Sequence, residues 1–287
     1  MYKEILVALD GSKLAESILP YVRCLTEALG VPVQLLYVQD PKIKISFSRP
    51  FQAEEYLKNI ATSMLASFTV RYTVEIGKPA EVIVNTAARD AGTLITMATH
   101  GRSKMQHWLV GSVANKVLHA ARNPLVLLRA TQEKQTSDSV QLGTIVVPLD
   151  GSPLAEKILP YVLEIAKALK SEVILVRTYS LPRGSHAFAK RFYVPYTDQL
   201  AESVKKEART YLEAKVQELK AKGLGKVSYQ LMEEPSAMEI IDFARKTPDN
   251  MLAAYTPRRS GVGRLGIANI TGRIIRRWQN PVLVVRA

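Results

Sequence analysis

Two loops of the 287-residue chain carry residue types and spacings that could hold a ligand. One reads Met97-Ala98-Thr99-His100-Gly101-Arg102-Ser103-Lys104, and after nine intervening residues past Gly101 stand Gly111 and Ser112, opening a helical stretch. Glycines let the backbone approach an anion, and a helix start offers unpaired N–H groups with partial positive charge. That is phosphate-binding chemistry. Ser112 can cap the helix or give its hydroxyl to a phosphate oxygen. Lys104 either reaches a phosphate or points into water. The second loop reads Asp10-Gly11-Ser12. A carboxylate there can accept hydrogen bonds from a sugar or base, or hold a hydrated cation, but Asp or Ser ahead of a helix is also the commonest N-cap. No nucleophile, base and orienting acid stand together, so no catalytic residue is assigned. His107, His119 and His186 lack metal spacing with carboxylates or cysteines, and no metal site is expected.

The elements that must position these loops are visible as short aliphatic runs at 5–9, 33–38, 69–76, 94–99 and 125–128. Most are continuously apolar, the pattern of strands buried on both faces of a parallel sheet. Residues 14–29, 53–68, 80–88 and 112–121 carry helical spacing and supply the crossovers. Alternating strand and helix implies right-handed connections and a doubly wound α/β fold. In such sheets ligands bind beyond the carboxyl ends of the strands where strand order reverses, which is where both loops fall. Pro20 and Pro160 are expected to kink the first helix of each unit.

The chain is one unit written twice. Residues 9–22 (LDGSKLAESILPYV) and 149–162 (LDGSPLAEKILPYV) are identical at 12 of 14 positions, and NPLVLLRA at 123–130 returns as NPVLVVRA at 280–287. The offset is 140 at the front and 157 at the back, so 17 residues are inserted in the second copy, most of them between 178 and 235. The polar, aperiodic stretch 131–142 reads as a linker between domains 1–130 and 143–287. Hydrophobic residues at 47% and charged ones at 23% describe an ordinary packed chain. The single Cys24 forbids an internal disulfide and a cysteine-based zinc cluster, no secretory signal or spanning segment is visible, and a cytoplasmic protein is expected.

A first strand ending Leu-Asp-Gly-Ser, Pro79-Ala80, Met97-Ala98-Thr99-His100-Gly101-Arg102, Gly111-Ser112-Val113-Ala114 and Asn123-Pro124 together resemble the universal stress protein family, in tandem over nearly the whole chain. Its nucleotide-binding members carry Gly, two residues, Gly, nine residues, then Gly and Ser or Thr; Ala98 replaces the first glycine here. The resemblance implies two tandem open five-stranded parallel sheets flanked by helices, Rossmann-like and similar to the adenine nucleotide alpha hydrolases, related by a pseudo-twofold. It implies that Asp10 and the backbone of Val38 face adenine and that Ala8 and Ala98 lie by the ribose. Met97 belongs to the same set. The resemblance further implies that Gly101, Gly111 and Ser112 hold phosphates, with Val113 adding an N–H. The ligand implied is ATP, ADP or AMP, with or without Mg. A related fold group splits ATP with a Ser-Gly-Gly-x-Asp-Ser loop, whose paired glycines are missing here, so at most slow ATP hydrolysis is expected. Relatives pair through the last strand, so 125–128 and 282–285 could join within the chain, with a homodimer as a further option. A nucleotide-free interaction protein of the same fold is the alternative.

In the second copy the four motif positions become Tyr255, Arg258, Ala268 and Asn269. Tyr255 is expected to fill the ribose place and Arg258 to put a cation in the loop, leaving this copy structural or regulatory. The +13 charge is concentrated there: residues 245–287 hold nine Lys or Arg against Asp249 alone. Arg273, Arg276 and Arg277 near Trp278 could grip nucleic acid or an acidic partner, although a solvated face is favoured. Segments 40–51 and 180–198 could act as lids or pack on a partner.

Overall fold

Five of the six residues of β1 (Glu4–Leu9) are buried, as a strand covered on both faces requires. The structure, a computed structural model, describes residues 1–42, 50–100, 110–129, 140–179, 196–233, 236–256 and 267–286. After β1 come α1 (Lys13–Glu16), α2 (Leu19–Leu29), β2 (Val33–Gln39), α3 (Pro50–Met64), β3 (Val70–Ile76), α4 (Pro79–Ala87), β4 (Thr93–Ala98), α5 (Ser112–Ala120) and β5 (Leu125–Leu128). The second half runs β6 (Thr144–Pro148), a short 3-10 turn (Ala155–Ile158), α6 (Leu159–Leu169), β7 (Glu172–Thr178), α7 (Tyr196–Ala221), β8 (Val227–Met232), α8 (Ala237–Arg245), β9 (Asn250–Thr256), α9 (Ile267–Arg277) and β10 (Val282–Arg286).

The prolines act differently from expectation. Residues 14–29 form two helices instead of one kinked one, and Pro20 and Pro160 fall in the first turns of α2 and α6. A missing N–H costs nothing there, because the first turn has no intrahelical acceptor for it.

The strands form a single ten-stranded sheet in the order β3-β2-β1-β4-β5-β10-β9-β6-β7-β8. Within each half all neighbours are parallel, and strand order reverses between β1 and β4 and between β6 and β9. The halves meet at an antiparallel seam, with Val282 opposite Leu127 and Val284 opposite Leu125. Register also locates the insertion. Ile5 lies opposite Val33 and Ile145 opposite Val173, an offset of 140 in both strands. Val33 then lies opposite Val70 but Val173 opposite Val227, an offset already grown to 157. The extra residues therefore lie between β7 and β8, where α7 has 26 residues against 15 in α3.

Two apolar clusters cover the sheet, one per face, and each draws on both halves. One gathers Leu25 of α2 and Leu57 of α3 with Ile165 of α6 and Leu212 of α7. The other gathers Ile83 of α4 and Val117 of α5 with Ile240 of α8 and Ile274 of α9. Across the seam α2 packs on α6, and the Tyr2 N–H donates to Glu164 Oε1 at 2.9 Å. Among the described residues no helix is long and apolar enough to cross a membrane.

Candidate functional site

Where β1, β2 and β4 end, the reversal of strand order opens a crevice, and a cavity of about 240 Å³ occupies it. Its lining includes Ala8, Asp10, Val38, Met97, Ala98, Gly111, Ser112 and Val113, brought together from four separate stretches of chain. Gly101 and Lys104 lie outside the described residues. Thr99 and His100 of the quoted loop and Asp40 line it too, and so do Leu36 and Ile83, which were not singled out in the sequence. Ile83 had a legible signal, being one helical turn beyond Pro79.

The Asp10-Gly11-Ser12 turn is built from its own side chains. Gly11 has φ +81°, a conformation that favours glycine. The Ser12 N–H and Oγ–H donate to Asp10 Oδ1 at 3.0 and 2.6 Å, and Ser12 Oγ accepts from the Ala15 N–H at 3.1 Å. Ser12 is therefore the N-cap of α1, and Asp10 braces it. The second half repeats the turn, with Gly151 at φ +85°, the Ser152 N–H on Asp150 Oδ1 at 2.9 Å and the Ala155 N–H on Ser152 Oγ at 3.1 Å. Chain geometry thus explains why both copies carry it.

The chain leaves β4 and returns to α5 at one peptide. The Gly111 N–H donates to the Thr99 carbonyl at 2.8 Å, and a Cβ at Gly111 would stand 2.6 Å from that oxygen. Only glycine permits this approach. Gly111 is also the N-cap, with no side-chain cap, so Ser112 does not cap the helix. The first helical bond runs from the Asn115 N–H to the Gly111 carbonyl, which leaves the N–H groups of Ser112, Val113 and Ala114 without intrahelical acceptors at the cavity wall. Together they form an electropositive rim for an anion. His100 Nδ1 lies 3.0 Å from Thr99 Oγ1 beside it.

The second half differs around the place of the second loop. Strand register sets Tyr255 where Ala98 stands, with Ala98 opposite Leu128 and Tyr255 opposite Val285. Alternation along β9 turns the Tyr255 ring into the apolar cluster on the α6 face, with the Lys157 ammonium 5.9 Å from the ring centroid. Arg258 lies outside the described residues. The sequence has Ala268 at the Gly111 position, and α9 begins at Ile267, ahead of Asn269, the counterpart of the first residue of α5. Another residue the sequence did not flag, Arg177, stands over the front turn: a Cβ on Gly151 would lie 3.0 Å from its guanidinium carbon. That guanidinium sits 4.7 Å from the centre of the Tyr211 ring and donates to Glu207 at 3.2 Å. Burial, and then the Glu156 carboxylate that accepts its O–H, raise the Tyr211 phenol above its ordinary pKa.

Arg273, Arg276 and Arg277 are exposed on α9, but Trp278 is buried at 3% exposure and offers no face for stacking. Segments 43–49 and 180–195, within the stretches read as lids, lie outside the described residues. Among the described residues no group of three or more His, Cys, Asp or Glu could hold a metal ion.

The sequence profile described as the universal stress protein family matches residues 1–129 and again 142–286. A universal stress protein of Methanocaldococcus jannaschii is 25% identical over 142 residues, 50% of this chain and 81% of the relative. Another from the same organism is 27% identical over 155 residues, 45% of this chain and 96% of the relative. A solved universal stress protein from Archaeoglobus fulgidus shares the fold over 99% of this chain and 98% of its own, with a TM-score of 0.73 at 18% identity.

Proposed function

Since the chain belongs to the universal stress protein family and matches it twice, we propose that it is a stress-response module that holds one adenine nucleotide in its first domain. In this reading domain 1 spans 1–130, a linker 131–142 follows, and domain 2 at 143–287 is structural or regulatory. The observation that carries the reading is convergence: Asp10, Val38, Ala98, Gly111 and Ser112, from four stretches, line one cavity at the strand ends.

The chemistry supports it. Apolar Leu36 and Ile83 can sandwich a base whose edge meets the Val38 backbone and the Asp10 carboxylate. The Ala98 methyl is tolerated by the ordinary strand conformation of β4. Phosphates fit the N–H groups at the start of α5, where the helix dipole favours negative charge. A Mg²⁺ would arrive on the phosphates, since the described residues offer no metal cage. The chain's residues hold and orient the nucleotide, and slow hydrolysis is the most the site would support.

Calorimetric titration with ATP tests the reading. One nucleotide per chain is expected, together with release of adenine nucleotide on denaturing the purified protein. No binding at millimolar ATP would favour a nucleotide-free interaction module, and two sites per chain would overturn the asymmetry between the domains.

A further inference from the structure

Equivalent arginines close the last strands of the two halves, Arg129 one residue after β5 and Arg286 as the final residue of β10, and each reaches across the seam to the last helix of the other half. Arg286 Nη1 donates to the Leu118 carbonyl of α5 at 3.2 Å, and Arg129 Nη1 donates to the Arg276 carbonyl of α9 at 3.0 Å. Both acceptors lie in the last turn of their helix, where carbonyls lack intrahelical partners and a cation complements the dipole. The exchange is reciprocal, but its consequences are not. The start of α5 is the anion-facing wall of the cavity, with the Gly111 approach intact. The start of α9 carries Ala268 and Asn269 in the corresponding places.

We propose that Arg286 is a positioning residue for the nucleotide site: domain 2, through its hold on the far end of α5, sets the phosphate affinity of domain 1. The proposal rests on the nucleotide reading given above. A nine-residue helix is a rigid rod about 13 Å long. Anchoring its carboxyl end therefore fixes the direction in which the N–H groups of Ser112, Val113 and Ala114 point. Arg286 itself is set by the β9–β10 register, where it lies opposite Thr256, so its reach depends on the second half being folded.

The test compares Arg286→Ala, Arg286→Lys and Arg129→Ala in the full chain, by ATP titration and by amide exchange without nucleotide. Arg286→Ala should weaken ATP binding roughly threefold to tenfold, the scale of couplings through packed elements, and should speed exchange at residues 112–115. Arg286→Lys should recover most of the affinity. Arg129→Ala removes the mirror-image contact and should leave ATP affinity unchanged while speeding exchange in α9. A purely structural role would make the two alanine variants lose affinity equally, and that result overturns the proposal. Wild-type affinity in Arg286→Ala overturns it alone, whereas a wild-type chain that binds no ATP overturns the nucleotide reading and this proposal with it.

Discussion

At Gly111 the backbone runs so close to Thr99 that a single methyl would stand 2.6 Å from the carbonyl oxygen. Gly111→Ala must push the start of α5 outward. The expected cost is about 1–3 kcal/mol of stability, as for other overpacked sites, with nucleotide affinity lost by at least about tenfold, measured by urea unfolding and titration. Asn123 offers the opposite case. Its Nδ2 donates to the carbonyls of Asp90 at 2.8 Å and Thr93 at 3.2 Å, the second bond being buried, so Asn123→Ala removes both bonds and should cost about 1–3 kcal/mol while leaving nucleotide affinity unchanged. At this scale the sequence shows which residues gather but not how they divide their duties. Asp-Gly-Ser could be read as cap or ligand contact; only the bonds show that Ser12 caps, that Asp10 braces it and that Gly111, not Ser112, is the cap of α5. Arg177 carried no signal, because its partner Tyr211 belongs to the lengthened α7, far away in sequence.

The strands were the most legible elements, since continuous aliphatic runs have few other uses in an α/β chain. Helix limits were less so: α1 and α2 share one apolar face across their break, and periodicity cannot see the interruption. The turn between α4 and β4 gives an acid-side prediction. The Asp90 carboxyl is held below its ordinary pKa by the Gly92 N–H first and then by Lys3. A lowered folded value means its contribution is present above the unfolded pKa of about 3.9 and is lost as pH falls through the lowered one. Asp90→Asn should therefore flatten the acid limb of a plot of thermal midpoint against pH. For α9, exposed arginines beside a buried Trp278 describe a solvated cationic face. Oligonucleotide binding is expected to be weak at low salt and to show no steep decline between about 50 and 200 mM, in contrast to a true phosphate-contacting surface.

For the whole molecule, the repeat announces two units, but hydrophobic patterning says only that residues are buried and not what they are buried against. Both apolar clusters turn out to run through both halves, joined by the seam of Leu125–Leu128 on Val282–Arg286. The halves should consequently unfold together. A calorimetric scan of the full chain is expected to give one transition whose calorimetric and van't Hoff enthalpies agree; two separate transitions would mean that the shared cores contribute little coupling.

That seam has a further consequence. Because it joins parts of one polypeptide, the halves meet at an effective concentration fixed by the connecting stretch, and dilution cannot part them as it parts two separate chains. It also frees them genetically. In a pair of identical subunits every codon change appears on both sides of the axis, whereas here Gly111 can stay glycine while its counterpart has become Ala268. One side can hold a ligand while the other takes on different work.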